Sequence, residues 1–186
     1  SLPGVLETRS TSLNEDEQSA LNEAVLASFT NAAQSLQRAR LSEGAQLFAI
    51  LSGLVDQIEG FTNNAEPLAD AVTIAMAERL ATLAADLASK AGTVIPEDRL
   101  GQEAAMLATK ADVREELDRL RAHILSARTL LSSGQPAGRK LDFLAQEFMR
   151  EANTLCSKAG SMELTNIGLA LKSAVDQFKE QVANVE

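Results

Sequence analysis

Residues 68–87, LADAVTIAMAERLATLAADL, decide how the chain folds. Leu68, Val72, Met76, Leu80, Leu83 and Leu87 recur at spacings of three and four, the period that gathers side chains on one face of an α-helix. Alternation of period two, the mark of a half-buried strand, is absent from this stretch and from every other window. Upstream, Leu21, Val25, Phe29, Ala32 and Leu36 repeat the pattern, and Leu47, Leu51, Leu54, Ile58 and Phe61 extend it past Gly44. Asn63-Asn64 reads as a turn and Pro67 as the first turn of a new helix ending at Gly92. The expected fold is therefore all-α. A leader or linker occupies residues 1–13, with Ser12 and Glu15 spaced as a capping box. A long antiparallel helical hairpin follows over residues 14–92, and then a C-terminal helical domain over residues 97–186.

That domain reads as a bundle of three helices. The first runs from about Glu97 to Leu131 and ends at Ser132-Ser133-Gly134. The second covers roughly Arg139 to Ala159 and stops at Gly160. The third extends from about Met162 to the end, with Leu164, Ile167, Leu171, Ala174, Phe178, Val182 and Val185 on its inner face. Apolar stripes on helices this long need partners, so we expect self-association, with coiled-coil packing or neighbouring subunits covering what one chain leaves bare.

Composition narrows the classes. Hydrophobic residues make up 45% of the 186, which excludes a disordered chain. Only six Phe represent the aromatics, without Trp or Tyr, and all six are expected in the core, which leaves little for base stacking. No apolar run nears the ~20 residues needed to span a bilayer, so no membrane is expected as a partner. The start, Ser1-Leu2-Pro3-Gly4, has neither a basic region nor a hydrophobic segment and lacks an initiator Met. We expect no signal peptide and a piece of a longer chain. The single Cys156 cannot close an internal disulfide, suits a reducing compartment and is expected as a small core residue. The net charge of −9 argues against general polyanion binding. Residues 1–100 carry six Lys/Arg against fourteen Asp/Glu, whereas residues 101–186 carry eleven against twelve, so a nucleic-acid site, if present, is expected in the second half. Gly-rich phosphate loops, Cys/His metal spacings and the G-x-S-x-G turn are all missing.

Two polar constellations remain. Asp112, Glu116, Arg119 and His123 share one helix face, bordered by Glu115 and running beside Val113, Leu117, Leu120 and Ile124. Carboxylates on successive turns can hold a divalent cation, and the chain's only histidine can pass a proton near neutral pH. The plainer alternative is a solvated face of carboxylate–arginine pairs. On the next helix, Arg139, Gln146, Arg150, Asn153 and Ser157 follow one row, and Lys140, Glu147, Glu151, Thr154 and Lys158 the adjacent one. Asn153 and Thr154 are mediocre helix formers, so a purely structural face would be better served by Lys, Glu or Ala. Arg139, Lys140 and Arg150 suit phosphate oxygens. Here too a solvated face is the alternative.

Asp112-Val113-Arg114-Glu115-Glu116-Leu117-Asp118-Arg119-Leu120, followed by His123, resembles a signature of the YicC family. So does Gly138-Arg139-Lys140-Leu141-Asp142-Phe143-Leu144 with Gln146-Glu147, Arg150-Glu151, Asn153-Thr154-Leu155 and Ser157-Lys158. The ending Glu180-Gln181-Val182-Ala183-Asn184-Val185-Glu186 is similar to the family's C-terminus. The match is dense from about Arg99 onward. Upstream it rests on Pro3-Gly4-Val5, Arg40 and Glu43-Gly44, and the family region that precedes such a Pro-Gly-Val is absent.

The resemblance implies a cytoplasmic bacterial endoribonuclease that cleaves single-stranded RNA with a divalent cation, Mn or Mg, and assembles into a ring-like homo-oligomer. No DNA is expected as a partner. Carried onto this chain, it points to Glu116, His123, Asp112 and Glu115 for catalysis and to Asp112, Glu116, Glu147 and Glu151 for the metal. RNA would be held by Arg139, Lys140, Arg150, Asn153, Thr154 and Lys158. The competing reading is a non-catalytic helical scaffold for RNA binding or oligomerisation.

Overall fold

The computed structural model describes residues 14–91 and 96–185. Among these residues it is all-α, with five helices in the order α1 (Glu15–Ala91), α2 (Glu97–Ala111), α3 (Arg114–Ser132), α4 (Gly138–Lys158) and α5 (Met162–Val182). There is no strand among the described residues. No helix is long and apolar enough to cross a membrane among them. The chain divides into two compact units, residues 1–45 and 46–186.

The first unit holds the start of α1. Asn14 and Glu17 cap it reciprocally: the Glu17 backbone N–H donates to Asn14 Oδ1 at 2.8 Å, and the Asn14 N–H donates to Glu17 Oε2 at 3.0 Å. The capping box expected at Ser12 involves a residue outside the described ones. Leu21, Val25, Phe29, Leu36 and Leu41 of this unit are all exposed.

The expected hairpin is not formed. Asn63, Asn64 and Pro67 lie inside α1, which continues to Ala91. Proline removes one backbone donor and costs a helix interior about 3 kcal/mol. Tertiary packing overrides that cost. Leu51, Leu54, Val55, Ile58, Ala65, Ala69 and Val72 form one buried stripe through this region, and each large apolar side chain buried contributes ~1.5–3 kcal/mol. A turn at Asn63 would break the register that buries them. Pro67 itself faces solvent.

The long third helix expected over 97–131 is also interrupted. Asp112 adopts an extended backbone (φ −71°, ψ 120°), and its Oδ1 accepts the Arg114 N–H at 2.9 Å. This local bond competes with the helix and restarts the chain as α3, which buries Val113 completely. The expected third helix is thus two, α2 and α3, and the buried positions among their described residues lie on α3, not on α2.

Within the second unit α4 packs against both α3 and α5. Phe148 of α4 and Phe178 of α5 meet edge-on at 5.9 Å and are fully buried, with Leu117, Leu120, Leu141, Leu155, Leu164 and Leu171 around them. Not every Phe joins the core as expected: Phe29, Phe48 and Phe143 are exposed. Two glycines permit close approach. A Cβ on Gly168 would lie 2.5 Å from Cys156 Sγ, and one on Gly138 would lie 2.5 Å from the Val185 carbonyl oxygen. Cys156 is half-buried at that contact.

α3 is fastened to α1 along a ladder that the sequence reading did not single out. Arg114, Arg121 and Arg128, seven residues apart, face acids on α1 in descending order. Arg114 pairs with Asp70 at 3.0 Å and Arg121 with Glu66 at 2.7 Å. Arg128 pairs with Asp56 at 2.7 Å and Glu59 at 2.6 Å. The heptad spacing of the three arginines keeps them on one face of α3, and the falling numbers of their partners show that the two helices run antiparallel. The Arg114 guanidinium is held above its ordinary pKa, chiefly by its hydrogen bond to Asp70.

Candidate metal centre and nucleic-acid interface

The two helices carrying the expected site residues lie side by side, and the face between them is built around two buried carboxylates. Glu116 of α3 and Glu151 of α4 are only 2% and 3% exposed. A buried carboxylate costs several kcal/mol unless it is paired, and both are. Lys158 Nζ donates to Glu116 Oε1 at 3.1 Å and to the Asp112 carbonyl at 3.0 Å. Arg119 bridges the helices. Its Nη2 donates to Glu116 at 3.2 Å, its Nη1 pairs with Glu115, and its Nε lies 3.0 Å from Glu151 Oε1. The Nε–H points off the line to that oxygen, so this contact is more coulombic than directional. The close Glu151 carboxylate is the leading cause of a raised Arg119 pKa. Desolvation opposes it, and Glu115 and Glu116 add their fields. Arg119 therefore stays cationic at any working pH.

Beside this network, His123 of α3 stands edge-on to Phe148 at 5.9 Å. Its Nε2 is buried and has no hydrogen-bond partner, which is costly for an imidazole nitrogen unless a ligand completes it. A ring nitrogen of His123 and one carboxylate oxygen each of Glu147 and Glu151 all lie within 4.8 Å of one another. Ligands bound ~2.0–2.6 Å from a shared cation sit at most about 4–5 Å apart, so the three can converge on one ion. The donor set of one imidazole and two carboxylates suits a divalent ion intermediate between hard and soft, such as manganese.

The expected residues are therefore redistributed. The structure brings Glu147 and Glu151 together with His123, across two helices. Asp112 and Glu116, expected to join them, do not belong to this cluster. The Asp112 carboxylate caps α3, and Glu116 is enclosed by Lys158 and Arg119. Lys158, expected on RNA, is committed to Glu116. Arg139, Lys140 and Arg150 are exposed on α4 and make no ion pair among the described residues. Asn153 is exposed, and Thr154 Oγ1 donates to the Arg150 carbonyl at 3.1 Å.

One sequence signal could have found the buried acids. Glu116 lies three residues after Val113 and four before Leu120, and Glu151 three after Phe148 and four before Leu155. Each occupies an apolar register, where a charge implies a buried partner.

Comparison with known proteins gives the family. Residues 65–186 match the family described as "Endoribonuclease YicC-like, C-terminal". The chain is 34% identical over 184 residues to "Probable endoribonuclease YicC" of Haemophilus influenzae, covering 99% of this chain and 61% of that protein. It is 32% identical over 175 residues to the protein of the same name from Clostridioides difficile, covering 92% of this chain and 58% of that one. The chain thus spans about three-fifths of the length of the curated relatives it matches. With the family match extending over most of α1's second half and all of α2 to α5, the chain belongs to the YicC-like endoribonuclease family.

Proposed function

We propose that this chain carries the metal centre of an endoribonuclease that cleaves single-stranded RNA with a divalent cation, Mn or Mg. The observation that carries the reading is the convergence of His123, Glu147 and Glu151, on a histidine whose buried Nε2 has no hydrogen-bond partner among the described residues. The names of the two relatives support the reaction class. A cation bound there would supply Lewis acidity toward a phosphodiester oxygen and lower the pKa of water beside it. The chain's own residues do the rest. Glu147, Glu151 and His123 hold the ion. Arg119 fixes the Glu151 carboxylate and balances its charge, while Glu116 and Lys158 hold Arg119 and the start of α3 in place. Arg139, Lys140 and Arg150 take RNA phosphates, and Asn153 orients the strand from the same helix.

The test uses the full-length protein and a labelled single-stranded RNA, with manganese titrated into EDTA-treated enzyme. Cleavage should appear with manganese and fail in Glu147→Gln and Glu151→Gln. The same two variants should lose manganese binding measured by calorimetry. Cleavage at full rate in EDTA would reject the metal centre.

A scaffold reading has one observation in its favour: Glu116 and Lys158 are consumed by an ion pair that ties α3 to α4. It predicts RNA binding without cleavage under any metal. Self-association belongs to both readings. Leu21, Val25, Phe29 and Leu36 lie exposed along α1, and a second copy is the simplest cover for such a stripe. Light scattering on the full-length protein should report an oligomer, ring-like on the family resemblance, and a monomer at all concentrations would overturn this. A cytoplasmic location follows from the same resemblance.

A further inference from the structure

An open cleft of about 700 Å³ lies between α3 and α4, within the size range of small-molecule sites. Leu125, Ser126 and Thr129 form its α3 wall, and Arg139, Lys140 and Phe143 its α4 wall. Leu125 and Phe143 are 68% and 59% exposed, large apolar groups left in solvent inside a well-packed domain. Ser126 follows His123 by three residues and Phe143 precedes Glu147 by four, so each wall continues the helix row that carries the metal cluster by one turn. The cleft therefore adjoins that cluster.

We propose that this cleft receives an unpaired nucleobase of a single-stranded RNA, next to the phosphodiester held at His123, Glu147 and Glu151. This rests on the endoribonuclease reading and deepens it. The Phe143 ring offers the stacking face, and Leu125 opposite it supplies an apolar wall. Ser126 Oγ donates to the Ala122 carbonyl at 2.9 Å and Thr129 Oγ1 to the Leu125 carbonyl at 2.8 Å. Their protons are spent on their own helix, so their oxygens face the cleft as acceptors for the amino or imino groups of a base. Arg139 and Lys140 make no ion pair among the described residues, and phosphates flanking a base in the cleft complement them. That charge is what favours a nucleic acid over a second protein copy, which would leave two cations uncompensated at an apolar contact.

The experiment measures fluorescence anisotropy of full-length protein in EDTA. Two probes are compared: a labelled oligouridylate, and the same ribose-phosphate backbone without bases. Phe143→Ala should weaken the base-bearing probe by roughly five- to one-hundred-fold, the usual range for losing one stacked base, and leave the abasic probe unchanged. Phe143→Tyr should restore binding. Arg139→Ala should weaken both probes alike and flatten the salt dependence. Phe143 is exposed, so folding is retained, and sizing checks assembly. Wild-type affinity of Phe143→Ala for the base-bearing probe would overturn the proposal. Equal loss on both probes, or a change of oligomer size with RNA affinity preserved, would also overturn it. EDTA removes the cation, so these results stand apart from whether cleavage is metal-dependent. Absence of RNA binding by the wild type would sink the endoribonuclease reading and this proposal together.

Discussion

Two sets of cations lie on adjacent helices and do different work. On α3, Arg114, Arg121 and Arg128 each meet a carboxylate of α1 at 2.6–3.0 Å. On α4, Arg139, Lys140 and Arg150 make no ion pair among the described residues. Residue type alone does not separate the sets, since both are rich in arginine and stand on helix surfaces. What separates them is the neighbour. α1 brings an acidic row into register with α3, so those guanidinium groups are neutralised by the fold itself. The exposed face of α4 has no such neighbour among the described residues, and its cations are left without a paired carboxylate there. Between the sets lies the edge where α3 and α4 meet, with buried acids, a bridging arginine and an unpartnered histidine.

The strongest test of this contrast lies at that edge. If the edge is structural like the α1 seam, His123→Ala will change stability and leave chemistry alone. We expect the opposite in the full-length protein. Cleavage should fall at least about a hundred-fold, as loss of a direct ligand should exceed the 10–100-fold typical of outer-shell partners. Oligomer size and thermal melting should remain near wild type. Single-turnover cleavage and sizing of the same preparation decide between the two.

Lys158→Met sharpens the comparison from the structural side. It leaves the buried Glu116 carboxylate with Arg119 as its remaining partner. We expect a loss of about 2 kcal/mol of stability, from a buried acceptor deprived of a charged donor. Urea denaturation measures it. RNA affinity of the folded protein should be unchanged in EDTA, and a steeper loss of affinity than of stability would return Lys158 to the RNA-binding set.

Arg150→Ala should reverse that pattern. Stability should hold, and the dependence of log affinity on log salt should flatten by about 0.7, the value of one released counterion on a single strand. The smallest effect is expected for Arg121→Met. Its pair with Glu66 is surface-exposed, so the cost should be below about 1 kcal/mol. RNA binding should not change. A marked loss of affinity there would erase the distinction between the two helices.

How much was legible beforehand follows the same division. The all-α class needed only the 3.6-residue period, a local property carried by runs such as Leu68–Leu87. The expected limits of α4 and α5 were close because the glycines at 138 and 160 act within a few residues. The family signature falls on α3 and α4 for the same reason, being a string of neighbours along the chain.

What failed required partners distant in sequence. Asn63, Asn64 and Pro67 carry a turn's local preferences, yet the stripe from Leu51 to Val72 is buried only if the helix continues, and that burial outweighs them. Asp112 broke a helix without Gly or Pro because its side chain bonds the Arg114 N–H. His123 shares a face with Glu116 on α3, and the sequence paired them accordingly. Only packing of α3 on α4 turned Glu116 toward Lys158 and gave His123 the company of Glu147 and Glu151. The sequence by itself determined which segments are helical and which helices hold the polar groups, because both are set by short-range periodicity. The tertiary structure alone decided which carboxylates pair with cations of the fold and which lie beside the histidine, because that depends on distances between helices that no spacing along the chain encodes.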